Sequence, residues 1–392
     1  MDNFTFHTPT KVFFGKGTEA QVGDIVRSYG YKKVLVHFGG QSAVKSGLLA
    51  RIEASLAAAD VAFVRLGGVQ PNPTLQLARE GIALCREEKV DFILAVGGGS
   101  VIDSAKCIAD GVPNAEDVWT HFISRTPPAK ALPVGTVLTL AASGSEMSAS
   151  CVISNMATGE KRGYNSPTHR ALFSVLNPEL TYTVSKFQTG CGTVDIMMHT
   201  LERYFGGTTQ NTPLTDRVAE ALLVSVKEAG TVADKKPCDY EARATLMWAG
   251  SLSHNDLTSA GRSFVMQVHQ IEHEISGMYP AVAHGAGLSA LFCSWARFVC
   301  PHAVMRFAQY AQRVWGVPMD FENPLHTAQQ GIDATEQFFA SLGMPTHLRQ
   351  LDVPESMLET LAVNTTFGGT RVLDGIVPLD KAEILAVLKA AY

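Results

Sequence analysis

The sequence predicts an α/β domain built on a parallel sheet, followed by an all-α domain. Over residues 1–185, short runs rich in valine and leucine alternate with stretches of helical spacing. Over residues 186–392 nearly every apolar pattern repeats close to the helical period. A chain of 392 residues is also too long for one ordinary core.

The elements follow in order. "KKVLVHF" (32–38) reads as a buried strand and "AVKSGLLARIEASLAAA" as the helix behind it. "VAFVRL" is a second strand, and "PTLQLAREGIALCREEKV" a second helix. "DFILAVGGG" is a strand with glycines at its end, and "SVIDSAKCIADG" the helix it feeds. "LPVGTVLTLAASGSE" (132–146) reads as a strand opening onto a loop of small residues. Strand–helix alternation at this spacing gives βαβ units. After a boundary near "SKFQTG" (185–190), "TVDIMMHTLERYF", "TDRVAEALLVSVKEAGTVA", "EARATLMWAGSLSHNDL", "FVMQVHQIEHEISGMY" and "DKAEILAVLKAAY" are all helical.

A net charge of −5 gives no electrostatic reason to expect nucleic acid or an anionic membrane as partner. No apolar run approaches the roughly 20 residues of a membrane helix. The N-terminus lacks a basic stretch followed by an apolar one, and the seven cysteines never form a C-x-x-C pair. Reduced thiols in a cytoplasmic protein are the expectation.

Chemistry concentrates first at the strand ends. In "FILAVGGGSVIDSAK", Gly97, Gly98, Gly99 and Ser100 lie between a strand and a helix start. Free backbone N–H groups there favour a diphosphate, and ligands of parallel sheets bind beyond the carboxyl ends of strands. A tight turn capped by Ser100 would read the same way in isolation. A second glycine pair, Gly39 and Gly40, follows the first strand and favours a dinucleotide. No carboxylate stands there to meet an adenosine ribose 2′-OH. Ser42 and Lys45 instead suit a 2′-phosphate, so NADP(H) is expected, with NAD(H) as the alternative.

It concentrates next in the helical half. Asp195 and His199 are four apart and share a helix face. "HQIEHEISGMYPAVAH" (269–284) brings His269, His273 and His284. A carboxylate with imidazoles suits one divalent metal, Fe²⁺ or Zn²⁺. The H-x-x-E-H spelling within it is also the inverted zinc-peptidase signature, with Glu272 as the base.

With "GGGSVIDSAK" (97–106), "TLAASGSE" (139–146), "GTVDIMMHTLE" (192–202), "HQIEHEISGMYPAVAHG" (269–285), "VQPNPT" (69–74) and "EKRGYNSP" (160–167), the chain resembles the iron-containing (group III) alcohol dehydrogenase family, and most its butanol dehydrogenase branch. The resemblance implies a dehydroquinate synthase-like fold: a dinucleotide-binding α/β domain and a helical metal-binding domain. It implies a metal held by Asp195, His199, His269 and His284, with His273 catalytic, near nicotinamide and substrate. It implies cofactor contacts from Gly39, Gly40, Ser42, Asn72, Gly97, Gly98, Gly99, Ser100, Asp103, Thr139, Ser143 and Lys161. Asn177 stands where the family usually has aspartate, and the segment before His284 is a residue longer than usual.

The expected reaction is hydride transfer between NAD(P)H and a short- to medium-chain aldehyde, with the alcohol as product. Family members are commonly dimers, so a homodimer is expected, with "FTFHTPTKVFFG" (4–15) suited to joining protomers. Three rivals remain: a metallopeptidase, a glycerol dehydrogenase-like or dehydroquinate synthase-like enzyme, and a nucleotide-binding protein without catalysis.

Overall fold

In the sheet of the first unit, β-branched and aromatic residues pack on both faces, which is why its strands read as near-continuous apolar runs. The computed structural model describes residues 1–206 and 211–392. It divides into His7–Thr183 and a second unit made of Met1–Phe6 with Val184–Tyr392.

The first unit carries β1 (Lys11–Phe14), β2 (Lys33–Phe38), β3 (Ala62–Leu66), β4 (Phe92–Gly97), β5 (Val134–Leu138), β6 (Ser150–Asn155), β7 (Glu160–Asn165) and β8 (Phe173–Leu176). Its helices are α1 (Val22–Ser28), α2 (Ser42–Lys45), α3 (Leu48–Ala58), α4 (Leu75–Glu88), α5 (Gly99–Gly111) and α6 (Trp119–Ser124). Six strands make a parallel sheet in the order β1-β8-β5-β4-β2-β3. β6 and β7 form a separate antiparallel pair. The core on one side gathers Val34, Val36, Leu94, Val96, Ile52 and Leu56.

The strand order decides where a ligand would lie. The chain runs from β2 outward to β3, then crosses back to place β4 on the other side of β2. That reversal opens a crevice beyond the carboxyl ends of β2 and β4. Phe38 pairs with Val96 and Gly97 with Leu138, so β2, β4 and β5 end almost level. Gly39, Gly40 and Gly97–Gly99 fall at that crevice.

The second unit is helical, as its periodicity requires. It contains α7 (Lys186–Gly206), α8 (Pro213–Lys235), α9 (Tyr240–Ser253), α10 (Gln267–Met278), α11 (His284–Val299), α12 (Val304–Trp315), α13 (Pro324–Ser341), α14 (Leu358–Thr365) and α15 (Lys381–Ala390). Helix α7 is buried along almost its whole length and packs against α8, α9 and α11. No helix among the described residues is long and apolar enough to cross a membrane.

Candidate metal centre and nucleotide cradle

Asp195 and His199, one turn apart on α7, meet His269 from the first turns of α10. From Asp195 Oδ1 the distances are 3.6 Å to His199 Nδ1, 3.7 Å to His269 Nε2 and 3.8 Å to His284 Nε2. A cation bonded to N and O donors at about 2.0–2.2 Å spaces those donors by roughly 3–3.6 Å. Asp195, His199 and His269 have their donor atoms within 4.8 Å of one another, whereas His284 comes near Asp195 but groups with Glu272 and His273.

The decisive observation is what these atoms lack. Asp195 Oδ1, His199 Nδ1 and His269 Nε2 are buried and have no hydrogen-bond partner. Three converging orphaned donors are costly unless something binds them. A divalent cation fits that need.

The outward nitrogens are held by carboxylates. Glu202 accepts from His269 Nδ1, and also from the backbone N–H groups of Val268 at 2.6 Å and His269 at 3.2 Å. Glu272 accepts from His284 Nδ1. Each carboxylate fixes a tautomer and aims the other nitrogen inward. Burial disfavours charge on His269, but Glu202 and Asp195 outweigh it and push its pKa up to about 9. His199 lies well below the usual histidine range, through burial first and the neighbouring His254 and His269 rings second.

Small residues let α11 approach. A methyl group on Gly285 would overlap the Cys191 carbonyl of α7, and one on Gly287 would sit 2.8 Å from Glu272 Cγ. With glycine at both positions, His284 at the helix start comes within reach of Asp195. Between α10 and His284 the chain turns, and the Val282 N–H donates to the Tyr279 carbonyl at 2.9 Å.

His273 lies outside the buried group formed by Asp195, His199 and His269, and its donor atom falls with those of Glu272 and His284 within 4.8 Å of one another. Its ring lies 5.6 Å from that of His284, and 6.5 Å from that of His269 at an interplanar angle of 88°. An H-x-x-E-H peptidase needs His269 and His273 on one metal and Glu272 as a base; here Glu272 is engaged by His284.

In the first unit, Gly98 caps α5 in an extended conformation, with φ −88° and ψ −169°. A methyl group on Gly99 would overlap Ser143 Oγ, and one on Gly98 would lie 3.1 Å from Leu140 Cβ. The two strand ends are therefore pressed together, and the Thr139 N–H donates to the Gly97 carbonyl at 3.1 Å. Gly39 and Gly40 leave the end of β2 open, and Ser42 and Lys45 on α2 are exposed. Ser100 is half-buried in the first turn of α5.

Asn72, in the left-handed region at φ 58°, accepts from Lys161 Nζ at 3.0 Å. Both side chains are buried, so the β6–β7 pair is tied to the loop before α4. Asp103, also a cofactor candidate, accepts hydrogen bonds on both of its oxygens within the protein. Ser145 Oγ donates to one at 2.5 Å and the Val152 N–H to the other at 3.0 Å. Its contribution is to hold the loop that carries Ser143.

Lys106, one turn along α5, does the same from a fully buried position. It donates to the carbonyls of Ser145, Ser148 and Ser150 at 2.7, 3.2 and 2.8 Å. Burial pulls its pKa down, with Asp103 opposing. Sequence reading missed Lys106, Glu202 and His254, the last of which lies against the His199 ring, and gave Glu272 only the role of a peptidase base.

The chain matches the family model "Iron-containing alcohol dehydrogenase" over residues 9–178, and "Fe-containing alcohol dehydrogenase family, C-terminal" over 189–392. It is 39% identical to NADH-dependent butanol dehydrogenase A of Clostridium acetobutylicum, over 100% of both chains. It is 35% identical to NADPH-dependent aldehyde reductase YqhD of Escherichia coli, over 92% of each. A crystal structure of NADH-dependent butanol dehydrogenase A from Thermotoga maritima superposes with a TM-score of 0.95 at 34% identity, covering 100% of this chain and 99% of that one.

Proposed function

The chain belongs to the iron-containing alcohol dehydrogenase family, and from that premise we propose that it interconverts a short- to medium-chain aldehyde and its alcohol with NAD(P)(H). The convergence of orphaned Asp195, His199 and His269 atoms carries the reading. Asp195, His199, His269 and His284 would hold one divalent metal, Fe²⁺ or Zn²⁺, whose ligand types suit both. Bound there, the metal supplies Lewis acidity toward the substrate oxygen, and the nicotinamide gives or takes the hydride.

The chain's own residues do the rest. Glu202 and Glu272 keep the inward nitrogens of His269 and His284 aimed at the centre. His273 is our candidate for passing a proton to the substrate oxygen during reduction and removing it during oxidation. The backbone N–H groups at the start of α5 would receive the diphosphate, with Thr139 and Ser143 beside them. Asn72 and Lys161 would meet the nicotinamide ribose. At the end of β2, a hydroxyl on Ser42 and a charge on Lys45 favour NADP(H) over NAD(H). We expect a cytoplasmic homodimer.

The test is oxidation of NADPH and NADH with aldehydes of two to eight carbons, on protein reloaded separately with Fe²⁺ and Zn²⁺. Turnover with at least one aldehyde, faster with NADPH, is expected. Inert protein with every aldehyde and both metals would overturn the reading, and faster turnover with NADH would overturn the cofactor preference.

A further inference from the structure

His269 and His284 each have a buried carboxylate on the nitrogen facing away from the centre. His199 has none. Its Nδ1 is the inward nitrogen, 3.6 Å from Asp195 Oδ1 and buried without a hydrogen-bond partner, and among the described residues no carboxylate is bonded to its other nitrogen. An imidazole of this kind usually needs a hydrogen bond to fix its rotation, because ligand geometry depends on it.

What His199 has instead is a neighbouring ring. His254 lies with its centroid 4.0 Å from that of His199, the planes 34° apart. His269 follows at 4.7 Å and 30°, so His199 is the middle member of three close imidazoles. His254 is the residue immediately after α9, half-buried, and the chain turns sharply behind it. Asp256 is in the left-handed region at φ 74°, and Asn255 Oδ1 accepts from the Leu257 N–H at 3.1 Å. Helix end and turn together fix the backbone from which this ring projects.

We propose that His254 is a positioning residue for the metal centre: it sets the His199 imidazole by ring stacking, where the other two imidazoles are set by carboxylates. This rests on the metal reading above. Aromatic faces at this separation attract and restrict rotation, and they do so without placing a negative charge on the ring. A carboxylate raises the basicity of the imidazole it holds. Stacking aims His199 while leaving it the weakest donor of the set, so the centre keeps more of its Lewis acidity.

The test uses the full chain, stripped with a chelator and titrated with Co²⁺ against a competing chelator. Co²⁺ affinity, the visible d–d spectrum and metal-free melting temperature are recorded. His254→Ala should bind Co²⁺ about tenfold more weakly with little change in metal-free melting. His254→Phe, which keeps a stacking face and removes both nitrogens, should bind within about threefold of the parent with the parent's spectrum. Parent-like affinity for His254→Ala overturns the proposal. So does a His254→Phe variant as weak as His254→Ala, or an affinity loss matched by a lowered melting temperature. If His254→Ala does not fold, His254→Phe against His254→Asn makes the same comparison, and equal affinities overturn it. Parent protein that takes up no Co²⁺ would defeat the metal reading itself, which is a distinguishable failure.

Discussion

Glu272 accepts a hydrogen bond from Nδ1 of His284, and this leaves Nε2 of the same ring facing Asp195 Oδ1 at 3.8 Å. The glutamate of H-x-x-E-H is thereby a holder of an imidazole, not a base for water. Glu272→Gln should weaken metal binding by about tenfold, and Glu272→Ala by up to about a hundredfold. Chelator competition with Zn²⁺ measures both. Unchanged affinity in Glu272→Ala would refute the role.

His273 and His269 share a helix but should fail differently. His273→Ala should keep its metal and lose about 10²–10⁴ in kcat, as expected for a displaced acid–base group. His269→Ala should lose metal and activity together. Metal analysis beside steady-state rates separates them, and equal metal loss in His273→Ala would make His273 a ligand.

Gly285→Ala tests the close approach of α11 to α7. Its methyl would overlap the Cys191 carbonyl, and backbone cannot rotate away as a side chain can. The variant should be less stable by about 1–3 kcal/mol. Metal content should fall too, because His284 moves with residue 285. Denaturant unfolding and metal analysis report both effects.

These three differ in how far the sequence announced them. The parallel sheet was legible because β2, β4 and β5 are buried on both faces and spell themselves as apolar runs. Asp195 and His199 were legible because helical spacing puts four-apart residues on one face. The β6–β7 pair was not, since "SCVISN" and "EKRGYN" interleave polar residues and carry no valine-rich run. Glu202, His254 and the holding role of Glu272 were hidden for another reason. A carboxylate or ring that orients a partner is defined by tertiary neighbours, and His254 is 55 positions from the ring it touches. Asp103 is assigned to the cofactor by resemblance, and its hydrogen bonds from Ser145 and Val152 add a local role that the sequence does not spell.

His37 gives a pH dependence. It is fully buried on β2, its ring nitrogens 2.9 Å from the Leu66 carbonyl and 2.9 Å from Ser104 Oγ. Burial pulls its pKa down to about 4 from 6.5, against the Leu66 carbonyl, which favours the charged ring. Above pH 6.5 neither folded nor unfolded chain carries the proton, so no penalty exists. Between 6.5 and 4 the unfolded chain binds it and the folded chain does not, so stability falls as pH drops. Below 4 the loss levels off, at about 3 kcal/mol. Urea unfolding at pH 7, 5.5 and 4 should show this slope, and His37→Gln should flatten it. Identical slopes would count against the assignment.

Lys106→Met should loosen the loop that carries Ser143. Removing the ammonium strands the carbonyls of Ser145, Ser148 and Ser150, at a cost of about 1–3 kcal/mol for each that finds no new partner. NADPH affinity should drop more than metal affinity. Fluorescence titration of the nucleotide beside Co²⁺ titration makes the comparison, and equal losses would point to global unfolding instead.

Gly285 and Gly287 matter to anyone who would transplant this centre. Copying Asp195, His199, His269 and His284 onto another helical scaffold would reproduce the chemistry of the donors and little of their aim. Without glycines the third helix stands too far off, and without Glu202 and Glu272 the imidazoles spin. The portable unit is the helix crossing together with its anchors, and a graft that omits either should bind metals loosely and without preference.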